Sequence, residues 1–138
     1  MPAAERITEK QARTILRRMM ANGPLTAPPK APRDLAFLMA LAAARFPGGE
    51  PLTEKQVNDR LRDWLGRFSS PYGIDHVTVR RCLVDSGLLE RDKAGATYAL
   101  AAGKVAERLE EAAARLDPAA VMAQVRAERE ARKRAHAA

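Results

Sequence analysis

A mainly α-helical fold with one small β-hairpin is what this sequence of 138 residues predicts, and three observations predict it. Two threonine starts of the same form, Thr8-Glu9-Lys10-Gln11 and Thr53-Glu54-Lys55-Gln56, each open a stretch with apolar residues at helical spacing. Glycine and proline close such stretches at Asn22-Gly23-Pro24, Pro47-Gly48-Gly49 and Gly87. After Leu88 the pattern changes to alternation around the turn Asp92-Lys93-Ala94-Gly95, where Gly95 takes the positive φ. The resulting order, helix, short strand, helix, helix and hairpin, is that of a winged helix-turn-helix with helices added at both ends. Four segments follow: an amphipathic helix in 1–23, a proline-rich linker in 24–33, the winged domain in 34–100, and C-terminal helices with a basic tail in 101–138.

The first helix starts at the Thr8 capping box and carries Ala12, Ile15, Leu16, Met19 and Met20 on one side, so it must lean on something. Residues 24–33 hold four of the nine prolines, which remove backbone donors and favour extended, semi-rigid chain. From Asp34 to Phe46, Leu35, Phe37, Leu38, Met39, Leu41 and Ala42 give a broadly buried helix. Glu50-Pro51-Leu52 is a short strand at the hairpin edge, where a proline is tolerated. Behind Thr53, the residues Val57, Leu61, Trp64, Leu65 and Phe68 line one helix face, with Asp63 and Arg67 spaced to pair.

Ser69-Ser70-Pro71-Tyr72-Gly73 breaks that helix, and Asp75 caps a short one over about 75–86, with Ile74 as its staple. Leu88 and Leu89 re-enter the core, and Ala96, Tyr98 and Leu100 alternate with Thr97 and Ala99 in a half-exposed strand. Ala101 to Leu116 reads as one alanine-rich helix. Asp117-Pro118 starts another, whose last residues are expected to fray.

The formal net charge of +7 and a sequence pI near 10.2 favour a polyanionic partner, nucleic acid first. Lone Cys82 excludes an internal disulfide and reads as a small core hydrophobe, and no Cys/His cluster exists to hold a metal. The start Met1-Pro2-Ala3-Ala4-Glu5-Arg6 has no apolar run and no segment has bilayer length, so a cytoplasmic, nucleoid-associated protein without a membrane partner is expected. For catalysis the nearest feature is Gly48-Gly49, which lacks the lysine and hydroxyl of a nucleotide loop. No enzyme is expected, no catalytic residue is assigned, and the sequence specifies neither cofactor nor effector. An effector between the first helix and the core would need a pocket lined by Met19 and Met20.

A slender helix followed by a ribbon suits double-stranded DNA, the helix in the major groove and the ribbon on phosphates. With Val79 and Leu83 inward on the helix at about 75–86, Arg81 lies nearly opposite, with Thr78 and Asp85 on its flank. Arg81 is the leading base-edge candidate, because its fork of donors matches guanine O6 and N7. Arg80 lies nearer the core boundary, and the competing reading makes both arginines structural partners of Asp85, Glu90 or Asp92. Arg91 and Lys93 near the turn, and Lys55 at a helix start, are candidates for backbone contacts. His76 is a further contact or a pH sensor, against the simpler reading of an exposed histidine. Val105, Leu109, Leu116, Val121 and Val125 are spaced to form the seam of a homodimer. The alternative to DNA reading is a winged-helix protein–protein or dimerisation module, since fold alone does not decide function.

Two blocks of sequence carry a resemblance. Glu54-Lys55-Gln56-Val57-Asn58, and then Val79-Arg80-Arg81-Cys82-Leu83-Val84-Asp85-Ser86-Gly87-Leu88-Leu89-Glu90-Arg91 with Gly95 and Tyr98, resemble the bacterial family called domain of unknown function 2087. Its members show a similar "E-x-x-V-N" helix start followed by "L-R-R-x-L-V-D-x-G-L-L-x-R". The resemblance covers roughly residues 28–100 and implies a winged-helix-like transcription regulator.

Overall fold

In the computed structural model the chain forms α1 (Glu9–Met19), α2 (Pro32–Ala43), β1 (Leu52–Thr53), α3 (Glu54–Gly66), α4 (His76–Asp85), β2 (Leu89–Arg91), β3 (Thr97–Leu100), α5 (Ala102–Arg108), α6 (Glu111–Ala114) and α7 (Pro118–Ala137). Residues 5–70 and 73–137 are described. Met1-Pro2-Ala3-Ala4, Pro71 and Tyr72 at the centre of the expected helix break, and Ala138 lie outside them.

Both capping boxes form. Gln11 N donates to Thr8 Oγ1 at 3.1 Å while Thr8 N donates to Gln11 Oε1 at 2.9 Å. The Thr53 box repeats this at 3.2 and 2.9 Å. The helix expected from Asp34 begins two residues earlier, because Pro32 at the first helical position has a suitable φ and no amide to leave unpaired. Its seven consecutive residues from Phe37 to Ala43 are buried, and α2 packs against both α4 and α5. From Phe37 onward this helix is apolar on every side, so that part has no solvent face and becomes the centre of the fold.

The three strands form one antiparallel sheet in the order β1-β3-β2. Leu52 pairs with Tyr98, and Arg91 pairs with Tyr98 from the other side. The expected edge strand is therefore present but shifted onto Leu52–Thr53. Pro51, without a donor, stays outside the ladder. The Asp63–Arg67 pair forms at 2.9 Å.

The proline-rich segment is anchored at its start, since Leu25 N donates to Phe68 O at 3.0 Å and Ser70 N to Leu25 O at 2.8 Å. Two expectations are corrected. The helix expected over Ala101 to Leu116 is two short ones, broken where Leu109 is extended (φ −124°, ψ 135°) and bridges Ile7. Ile7 N donates to Arg108 O at 2.8 Å and Glu110 N to Ile7 O at 2.9 Å, a long-range pairing that overrides alanine's helix preference. Finally, the tail expected to fray is helical through Ala137.

Helix α7 opens as expected, with the Asp117 carboxylate accepting from Ala119 N at 3.0 Å, and it lies along α1. Arg13 donates to Gln124, Arg17 to Glu128 and Arg129 to Asn22, so the two helices run in the same direction. Among the described residues no helix is long and apolar enough to cross a membrane.

Candidate nucleic-acid interface

Asp75 caps α4 by accepting from Val77 N and Thr78 N, both at 3.3 Å, and from the Thr78 hydroxyl at 3.1 Å. Burial pulls the Asp75 carboxyl upward, but these hydrogen bonds outweigh it and hold the group below the ordinary carboxylate range. Ile74 and Val79 are both buried, as a staple requires. Val79 and Leu83 fix the inner face, and α2, α3 and β2 pack around it.

That placement leaves Thr78, Arg81 and Asp85 exposed on the outer face. Among the described residues Arg81 has no hydrogen-bond or ion-pair partner, and the spacing to Asp85 does not become a contact. Thr78 shares the face, but its hydroxyl is committed to the cap. Cys82 is half-buried, where burial, and then the Asp85 charge, push its thiol above the ordinary range, so it is a poor thiolate former.

Arg80 behaves differently. Its side chain is only 14% exposed; it donates to Asn58 Oδ1 and lies 3.6 Å from Glu54 Oε1. The Tyr98 hydroxyl donates to the same Glu54 oxygen at 3.0 Å. Burial and this Glu54 contact raise the Tyr98 phenol, with Arg80 and Arg91 pulling the other way. Arg80 is thus a tie between α4, α3 and the hairpin. Its partners are Glu54 and Asn58, not the expected Asp85, Glu90 or Asp92. The i, i+4 spacing of Glu54 and Asn58 on a helix adjoining the arginine pair is the signal that could have found them.

The remaining candidates scatter. Arg91 folds back over the Tyr98 ring, 5.9 Å from its centroid, and against Gly95 at the turn. Gly95 has a φ of +71°, and a Cβ there would meet the Arg91 guanidinium at 2.4 Å. Lys93 stands exposed on the turn, while Lys55 is exposed but paired with Asp59 at 2.9 Å. His76 is not an exposed histidine: its side chain is 18% accessible, with Nδ1 3.6 Å from Asp75 Oδ1.

The five residues expected at a dimer seam are used within the chain. Val105, Leu109, Leu116 and Val121 are buried in its own core and Val125 is half-buried, because α5 to α7 fold back onto α1 and α2. Of the two methionines that an effector pocket would need, Met20 is buried and Met19 half-buried. A groove of about 800 Å³ lies instead between α1 and α2, walled by Ile15, Phe37, Ala40 and Leu109.

Sequence reading also missed Arg45, which is half-buried at the end of α2 and donates to Leu41 O at 3.3 Å and to Ala114 O, fixing α6. Lys104 was missed too. Its ammonium lies beside Gly87 just past α4, where a cation favours the helix C-terminus.

Four residues of the two blocks quoted above, Glu54, Asn58, Arg80 and Tyr98, therefore meet in one polar cluster. No curated protein and no solved structure matches the chain. The sequence model of the family described as "Uncharacterized protein conserved in bacteria" (DUF2087) matches residues 24–100, more than half of the chain, which therefore belongs to that family.

Proposed function

We propose that the protein is a DNA-binding transcription regulator that reads duplex DNA through the outer face of α4, with the β2–β3 hairpin as its wing. The observation that carries this reading is Arg81: an exposed guanidinium, unpartnered among the described residues, at the middle of a short helix whose other sides are packed. Such a group presents its fork of donors ready for guanine, with no internal bond to break first. Arg80, held by Asn58 and Glu54, sets the pitch of α4 against α3 and the wing instead of touching bases. Lys93 supplies a backbone contact from the hairpin tip.

The test is a selection of genomic fragments by the purified protein at physiological salt, followed by binding measurements on the recovered site. Arg81→Ala should weaken the specific site by about 1 to 3 kcal/mol while leaving binding to random duplex nearly intact. Recovery of no preferred fragment, or an Arg81→Ala variant that binds the recovered site as the parent does, overturns the reading.

A further inference from the structure

Helix α7 is 20 residues long, about 30 Å, and outruns the helix it leans on. Its buried positions are Pro118 and Val121, and Val125 is half-buried. From Arg126 to Ala137 every residue is exposed. The last contact with the α1 region is Arg129 to Asn22, at 3.4 Å, so the remaining turns project past it.

At about 100° per residue, Arg126, Arg129, Arg132, Lys133 and His136 fall within one sector of about 120°. Glu128 and Glu130 fall outside it, and Glu128 is already held by Arg17. Among the described residues Arg126, Arg132 and Lys133 make no ion pair. A single-sign stripe on a projecting helix is self-repelling, and a line of regularly spaced anions relieves that repulsion. Beyond Val125 the helix has no apolar side chain larger than alanine, whereas a helix that lies in a membrane surface needs a bulky apolar face. The chemistry fits a phosphate backbone, not a bilayer.

We infer that the projecting half of α7 is a second duplex-DNA contact, in which Arg126, Arg132 and Lys133 neutralise backbone phosphates without regard to base sequence. This rests on the DNA-reading proposal and gives it a non-specific arm separate from α4.

The experiment compares the full-length protein with the triple variant Arg126→Ala, Arg132→Ala, Lys133→Ala, in which alanine preserves the helix. Fluorescence anisotropy with a 30-base-pair duplex of arbitrary sequence is measured from about 50 to 200 mM salt, with circular dichroism as the folding control. Losing three phosphate contacts should make the slope of log K against log salt shallower by about 2.7, so the parent loses about 40-fold more affinity over that range than the variant. An unchanged slope in a helical variant overturns the inference while leaving the α4 reading intact; a parent that binds no duplex at any salt overturns both. Sedimentation with phosphatidylserine–phosphatidylcholine vesicles should show no binding. Vesicle binding that the triple variant abolishes, with the duplex slope unchanged, would assign the stripe to a lipid surface instead.

Discussion

Adjacent arginines on one helix should differ in their cost to stability when removed, and Arg80→Ala against Arg81→Ala is the sharpest test of how α4 is seated. Arg80 is 14% exposed and loses a charge-assisted hydrogen bond to Asn58, worth roughly 1.5 to 3 kcal/mol when one partner is charged. Its approach to Glu54 is 3.6 Å, and Glu54 is about half exposed, so screening reduces that pair to about 0 to 1 kcal/mol. Together these give a loss of roughly 1.5 to 4 kcal/mol, or a fall in melting temperature on the order of 10 °C for a domain of this size. Arg81→Ala removes no hydrogen bond or ion pair among the described residues and should change stability by less than about 0.5 kcal/mol. Urea denaturation of both variants and the parent measures this directly. A double-mutant cycle with Asn58→Ala should then show that most of the Arg80 loss is shared with Asn58. Equal losses at the two arginines, or a silent Arg80→Ala, would show that Arg80 is not the tie described and that α4 is held some other way.

Acid should destabilise the fold. The Asp34 carboxyl is held below its ordinary range by hydrogen bonds from Arg18 at 2.9 and 2.8 Å, so its contribution is complete above the ordinary carboxylate pKa and is lost as pH falls through the lower folded value. Asp75 adds the same sign, and thermal melts should be flat from pH 7 to 5 and fall below about 4, where an acid-insensitive midpoint would contradict both assignments. Gly87→Ala should cost about 1 to 2 kcal/mol by urea denaturation, because φ is +76°, a conformation that a Cβ strains, while the flexible Lys104 ammonium beside it can move aside; an unaltered midpoint would refute the strained cap. Cys82 should react with iodoacetamide at neutral pH more slowly than the same cysteine in the unfolded chain, since burial and Asp85 disfavour its thiolate; faster reaction would mean the thiol is activated.

The elements most legible in the sequence are those whose causes are local. The Thr8 and Thr53 boxes, the Asp75 cap, the Gly87 stop and the Gly95 turn are each written within a few residues, and each is where the pattern puts it. What was not legible is long-range. Nothing near Leu109 announces that it leaves its helix to pair with Ile7, about a hundred positions away, and alanine spacing argues for continuity. The same is true of the candidate site. That Arg81 faces outward follows from helical angles, but that Arg80 finds Glu54 and Asn58 requires knowing how α3 crosses α4. The apolar residues of the C-terminal helices have the spacing of a seam, and spacing cannot distinguish a second copy from the chain's own α1 and α2.

The bridge between Ile7 and Leu109 joins to each other the two extensions that flank the span 24–100. Excised alone, that span would strip α5 from α2 and leave its apolar stretch from Phe37 to Ala43 open to water along one flank. A fragment limited to 24–100 should therefore unfold at lower urea than the whole chain, and an equal midpoint would show that the two extensions lend the core nothing.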